Sequence, residues 1–232
     1  MITYIYTKYE HNKELTKEDL NFIYEVDRQI EGFGYQKDPR IEKIKQGRNK
    51  RKDLAKIYDC QEEEIGLNED DFIKANEKGI RLKYYDGDLD SEILKSGNKL
   101  LLPEIVKGNL HLISLKSAEG LELPKEVEFL DLSSLESAKG LKLPKEVRNL
   151  NLGSLESAEG LEFPEKAKIL ELDSLKSAKG IKLPKEVEYL VLFNLKNAEG
   201  LEFPEGIDMN KVYLPEKIKR ELLAKQVSKK TR

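Results

Sequence analysis

A repeat of 20 residues constrains this chain more than any other feature. Leu121-Glu122-Leu123-Pro124-Lys125-Glu126-Val127 returns as Leu141-Lys142-Leu143-Pro144-Lys145-Glu146-Val147, and variants return at 161, 181 and 201. The consensus is L-x-L-P-x-x-V-x-x-L-x-L-x-S-L-x-S-A-x-G. One such unit cannot bury its own leucines, so a period this short requires coils stacked into a solenoid. Upstream, Leu100-Leu101-Leu102-Pro103 and Leu110-His111-Leu112 fit with one extra residue, and Gly79-Ile80-Arg81-Leu82 reads as an earlier, degenerate copy. Downstream, Val212-Tyr213-Leu214 supplies the last strand two residues late. Gly79 to Pro215 thus accommodates about six to seven coils.

Each coil carries two short alternating segments, such as Leu121-x-Leu123 and Leu130-x-Leu132. Alternation with a period of two means strands with one face buried. Positions 121, 123, 127, 130, 132, 135 and 138 are expected inside. Proline ends the first segment, and glycine at 120, 140, 160, 180 and 200 marks a turn with positive φ. Serine or asparagine at 114, 134, 154, 174 and 194 suits a turn capped by a side chain. The pattern predicts two narrow parallel sheets back to back. The outward columns at 122–202 and 119–199 alternate Glu and Lys from coil to coil, so neighbouring coils present opposite charges.

Val127-x-x-Leu130-x-Leu132-x-x-Leu135 resembles the leucine-rich-repeat core L-x-x-L-x-L-x-x-N, and the preceding Leu-Pro is similar to short proline-bearing repeats of bacterial members. Leucine replaces the usual asparagine at 135, 155, 175 and 195, which implies a straighter coil stack than a horseshoe. The expected fold is α+β: a leucine-rich-repeat-like parallel β-solenoid with a small mixed or helical N-terminal domain and a C-terminal capping helix. The boundaries fall at 1–75 for the N-terminal α/β capping domain, 76–215 for the solenoid and 216–232 for the capping helix and basic tail. Within the first, residues 2–9 alternate as a strand would. Thr16 starts a helix carrying Leu20, Ile23, Tyr24 and Ile30, with Asp27 as its polar break. Residues 31–35 and Asp38-Pro39 read as loop, and helical pattern resumes at Ile41 and again over Asp53–Tyr58. Ile218, Leu222, Leu223 and Val227 make the C-terminal helix amphipathic.

Composition narrows the function. At 38% hydrophobic and 37% charged, the 232-residue chain is too apolar for disorder and holds no membrane-length apolar run. The opening residues lack the basic and apolar regions of a secretory leader. A single cysteine, Cys60, excludes an internal disulfide framework and suits a reducing compartment. The expected location is the cytoplasm of a bacterial cell or a phage-infected host, on the Lys-, Glu-, Leu-, Ile- and Asn-rich, Trp-free composition.

No G-x-S-x-G, H-E-x-x-H, Walker loop or dinucleotide fingerprint is present, so no catalytic residue is assigned and an enzyme is not expected. Cys60 has no histidine near it in sequence, and His111 falls in an outward column. Asp86, Asp88 and Asp90 copy the start of an EF-hand loop, but Ser91 and Gly97 stand where glycine and glutamate belong. No metal and no cofactor are expected.

Two binding surfaces remain. The first is basic: Lys37–Lys56 holds nine Lys/Arg against three Asp/Glu, densest at Lys43, Lys45, Arg48, Lys50, Arg51 and Lys52, and suits RNA, DNA or an acidic protein surface. Residues Arg51–Tyr58 followed by Ile65 faintly resemble a helix-turn-helix, with Glu62, Glu63 and Glu64 opposing duplex contact. The second lies on the outward side of the Leu130 strand. There Tyr189, Val191 and Phe193 break the polar rule together, with Phe129 and Ile169 in the same columns and Asp131, Asn149, Asn151, Glu171 and Asp173 as a polar rim. Cover by the chain's own C-terminal helix or tail is the competing reading. The expected function is non-enzymatic macromolecular binding through a rigid repeat surface, as an adaptor or as an inhibitor that occupies a partner protein. One specific alternative is a phage-type, anti-CRISPR-like inhibitor of a bacterial defence nuclease, touching its protein and, where the target is a ribonucleoprotein, its guide RNA as well. A second is RNA or DNA binding through the basic run. No membrane partner is expected.

Overall fold

The computed structural model describes residues 1–26, 30, 38–90 and 100–222. The chain divides into two compact units, Met1–Leu67 and Asn68–Arg232. Asp27 and the expected loop at 31–35 lie outside the described residues, as do Ser91, Gly97, Leu223, Val227 and the basic tail.

The first unit is helical. Helices α1 (Ile2–Glu10), α2 (Lys17–Ile23), α3 (Pro39–Gln46) and α4 (Lys50–Tyr58) precede a 3-10 turn at Glu62–Glu64 and the two-residue strand β1 (Ile65–Gly66). The strand expected over residues 2–9 is instead α1. Ile2, Ile5, Tyr6 and Tyr9 also follow the helical spacing i, i+3, i+4, i+7, and it is this face that turns inward, with Ile5 fully buried and Thr3, Tyr4 and Thr7 exposed. α1 packs on α3 and α2 on α4, around Ile5, Leu20, Ile41, Ile44 and Leu54. Thr16 caps α2 through a box in which its hydroxyl accepts from the Asp19 N–H while the Asp19 carboxylate accepts from the Thr16 N–H. Buried Asp19 also receives the Lys8 ammonium at 2.6 Å, and the two contacts hold its carboxyl below the usual range although burial opposes them. The helix ends at Ile23 rather than running on to Ile30, because Glu25 adopts a positive φ of 54° just past it.

The second unit is a parallel β-solenoid. After α5 (Glu69–Glu77) come β2 (Tyr84–Tyr85), β3 (Leu89–Asp90), β4 (Ile105–Val106), β5 (Asn109–His111), β6 (Glu126–Asp131), β7 (Glu146–Asn151), β8 (Ile169–Glu171), β9 (Tyr189–Val191) and β10 (Val212–Tyr213). Every pairing among β2–β10 is parallel, and Leu89, Leu110, Leu130, Leu150, Leu170, Leu190 and Val212 stack in register as successive rungs. The one-residue insertion upstream and the late last strand appear directly in that register. Leu130, Leu132 and Leu135 and their counterparts in the next two coils are fully buried, and Val127 and Val147 nearly so. The core continues into Phe72 of α5 and into Ile218 of a helix at 216–222.

The second sheet does not form. The segments at 121–124 and their repeats are irregular, and the opposite flank is held by isolated bridges, Ser117 to Ser137 and Ser177 to Asn197. Gly120, with φ of 77°, and Pro124 bracket a segment too short for a ladder, and the proline contributes no N–H. In the 114 column the Asn194 amide donates to the Asp173 carbonyl at 2.9 Å, while Ser117, Ser137, Ser157 and Ser177 of another column accept from backbone N–H groups two residues on. Of the alternating charge columns, the one at 119 pairs Lys139 with Glu119 at 3.7 Å, while Glu122 turns to Arg81 at 2.6 Å.

Candidate binding face

The outward side of β5–β10 forms a continuous strip, because parallel stacking places equivalent side chains about 4.8 Å apart from rung to rung. One column reads Asn109, Phe129, Asn149, Ile169, Tyr189. The next reads His111, Asp131, Asn151, Glu171, Val191, Tyr213. Beyond the strand ends lie Ile113, Ser133, Gly153, Asp173 and Phe193, where backbone bonds such as Ser174 N–H to the Gly153 carbonyl continue the stacking.

Across the strip the chemistry changes in order. At its early end the His111 ring meets the Phe129 ring edge-on, centroids 5.3 Å apart. Its middle is polar. Asp131 and Asn151 each turn a side-chain oxygen back to accept the N–H two residues on, Ser133 and Gly153, at 2.9 Å. Glu171 follows, half-buried; burial first, then negative Asp173 and Asp131, hold its carboxyl above the usual range. The late end is aromatic: Tyr189, Phe193 and Tyr213 are 37%, 55% and 44% exposed. The Phe193 and Tyr213 rings lie 5.9 Å apart, and the Lys211 ammonium sits 4.7 Å above the Tyr189 ring.

Tyr189, Val191 and Phe193 are therefore brought together as the alternation implies, and no described residue of the helix at 216–222 closes over them: Ile218 points into the core instead. Phe129 and Ile169 are half-buried two rungs apart in one column. Tyr213 and Lys211 escaped the sequence reading. The signal was present in Val212-Tyr213-Leu214, whose alternation sends Tyr213 outward, but the two-residue delay hid its column.

Beside this strip runs an open groove of about 580 Å³ at the bend before Leu130. Val127, Val147 and Ala167 form its floor; Lys125, Lys145, Arg148 and Lys166 line it along with glutamates. Three of its lysines are paired: Lys125 with Glu104 at 2.7 Å, Lys166 with Glu146 at 3.0 Å and Lys168 with Glu188 at 3.0 Å.

In the helical unit, several members of the basic run have internal partners. Arg48 is clamped to Asp53, the Lys43 ammonium donates to the Tyr6 hydroxyl at 2.7 Å, and Arg51 donates to the Ile65 carbonyl at 2.5 Å. Lys45 pairs with Glu42 at 3.3 Å, while Lys50 and Lys52 are exposed at the start of α4. The segment after α4 is a 3-10 turn and strand β1, not a second helix, so the helix-turn-helix geometry is absent; Asp59 at the C-terminus of α4 is left-handed, with φ of 51°. Asp86 accepts from the Tyr84 hydroxyl and Asp88 from the Asn109 N–H. Among the described residues no cluster of three or more His, Cys, Asp or Glu is arranged to hold a metal, and no helix is long and apolar enough to cross a membrane.

Protein-family models, curated proteins and solved structures were compared with the chain, and none matches.

Proposed function

We propose that this is a non-enzymatic macromolecular binding protein that uses the outward strand face of its solenoid to hold or occlude a partner protein. One observation carries the reading: Tyr189, Phe193 and Tyr213 stand exposed side by side at the late end of a face whose other positions, apart from exposed Ile113 at the early end, are polar or half-buried. Exposed aromatic clusters of this kind are costly to leave in water and are enriched where partners dock. The stacked leucine core supports a rigid platform, on which outward side chains vary without disturbing the fold. The leucine-rich-repeat-like class of the coil belongs to the same proposal, as does a capping role for the helical ends, supported by Phe72 and Ile218 in the solenoid core. Inhibition by occupancy follows if the partner's working surface is what the face covers.

The test is affinity capture from a bacterial lysate, with and without nuclease treatment, using the wild-type chain and a Tyr189→Ser/Phe193→Ser variant. One protein captured near stoichiometry by the wild type and lost by the variant, with circular dichroism unchanged, is the expected result. Equal capture by both would remove the face from the reading, and capture abolished by nuclease would move it to RNA.

A further inference from the structure

Elsewhere on the solenoid, several lysines meet glutamates of the neighbouring rung. Lys116 meets Glu136 at 3.1 Å, Lys166 meets Glu146 at 3.0 Å, Lys168 meets Glu188 at 3.0 Å, and Lys176 meets Glu156. The acids of the strand face have no such lysine. Asp131, Glu171 and Asp173 stand in adjacent columns, and among the described residues no lysine or arginine forms an ion pair with any of them. The nearest cationic candidate is His111, whose Nδ1 lies 3.9 Å from Asp131, beyond hydrogen-bonding distance. Lys211, at the far end, is engaged with the Tyr189 ring.

Between these acids the surface is cut back. Position 153 is glycine, and a Cβ there would come within 3.6 Å of the Asp173 carboxylate and 3.1 Å of the Asn151 amide oxygen. The missing side chain spares both groups that contact. The aromatic cluster begins one rung past Glu171.

We propose that the face binds a cationic segment of a partner protein, with lysine or arginine over Asp131 and over the Glu171–Asp173 pair, and an apolar side chain seated on Tyr189, Phe193 and Tyr213. The inference rests on the binding role assigned to this face above and names the chemistry of its occupant. Two rungs separate Asp131 from Glu171, so the cations are set about 10 Å apart, with the apolar anchor about 5 Å further along. Charge complementarity chooses the partner's class: three uncompensated carboxylates repel a phosphate backbone and attract a basic peptide. Burial first, and then negative Asp173 and Asp131, hold the Glu171 carboxyl above the usual range, and a cation beside it favours the charged form.

The probe is a library of short random peptides displayed on phage and selected against the full chain. Recovered sequences are then synthesised and titrated by fluorescence anisotropy. Enrichment of Lys/Arg beside Leu, Ile, Met or Phe is expected. Glu171→Gln/Asp173→Asn, which preserves side-chain shape, should weaken binding by about tenfold or more, with a loss that shrinks as salt rises. Glu119→Gln in a matched column should leave binding unchanged. Neutral or acidic peptides that survive the amide variant but are lost on Tyr189→Ser/Phe193→Ser would overturn the cationic occupant and leave the binding face standing. Peptides indifferent to both variants would remove the face itself, and absence of any enrichment would overturn the peptide-docking inference.

Discussion

Arg48 holds Asp53 through two parallel charge-assisted hydrogen bonds, Nε to Oδ2 and Nη2 to Oδ1, each 2.6 Å long. The Tyr24 hydroxyl donates to the same carboxylate at 3.0 Å, so a side chain only 5% exposed ties α2 to the start of α4. Burial, and then the Asp53 charge, push the Tyr24 hydroxyl well above the usual tyrosine range.

Asp53→Asn keeps the shape and removes the charge, leaving the guanidinium without its counter-ion. Its expected cost is about 2–3 kcal/mol, the worth of a partly buried charged hydrogen-bond pair. The loss belongs to the first unit alone: amide exchange should quicken in α2 and α4 and stay slow in β6–β9. Tyr24 should also ionise at a lower pH, read by absorbance in alkaline titration. Unchanged exchange in α2 and α4 would refute the assignment of this pair as the unit's tie.

Two glycines in the solenoid exist for different reasons, and substitution separates them. Gly140 has φ of 74° with nothing within 4 Å of an added Cβ, so Gly140→Ala costs only the left-handed backbone penalty, about 1–2 kcal/mol. Gly108 has ordinary φ, but a Cβ there would lie 2.6 Å from the Gly87 carbonyl oxygen. Backbone cannot yield as a flexible side chain does, and Gly108→Ala is expected to cost about 1–3 kcal/mol by overpacking. Asparagine is the discriminating variant, since it tolerates the left-handed region. Gly140→Asn should recover much of the alanine loss in urea unfolding, and Gly108→Asn none of it; equal recovery at both sites would defeat the distinction.

These glycines mark the boundary of what the sequence exposes. The turn glycines are legible because they recur every 20 residues, and so are Leu130, Leu150 and Leu170, whose zero exposure follows from alternation plus period. Gly108 is not legible, because its reason is a carbonyl from the preceding coil and no local pattern encodes it. Ile2–Glu10 misleads for another reason: its isoleucines and tyrosines satisfy both a two-residue and a helical spacing, and packing against α3 decides. In the strip, Tyr189, Val191 and Phe193 are legible as breaks in a polar column, whereas Tyr213 joins them only through the shifted register of β10.

Leu155 occupies the position where the leucine-rich-repeat core carries asparagine, and it is fully buried, its N–H donating to the Leu152 carbonyl at 3.0 Å. The turn's backbone group is thus already satisfied within the coil, and the site is lined by leucines. Leu155→Asn is expected to destabilise the solenoid by about 2–4 kcal/mol, combining lost apolar burial with an amide lacking partners. Thermal unfolding of Leu155→Asn beside Leu155→Ala measures it. Asparagine as stable as the wild-type leucine would mean that this coil accepts an amide ladder of the leucine-rich-repeat kind.

Glu171 offers a pH test of the face. Its carboxyl is held above the usual range, by burial first and then by Asp173 and Asp131, so in the folded chain it binds a proton at a pH where the unfolded chain has released it. The stability linked to that proton is complete below the unfolded carboxylate range and is lost as pH rises through the folded value. At pH 7 the charge therefore works against the fold, and Glu171→Gln should raise the melting temperature. Below about pH 4, where wild-type Glu171 is itself neutral, that advantage should disappear. Scanning calorimetry of both proteins at the two pH values decides it. A gain of equal size at both would trace the effect to packing rather than charge, and a loss at pH 7 would mean that an unrecognised cation already stabilises Glu171. A gain confined to neutral pH would identify the carboxylate as one kept at a cost in stability, as expected of a group whose counter-ion arrives with a partner.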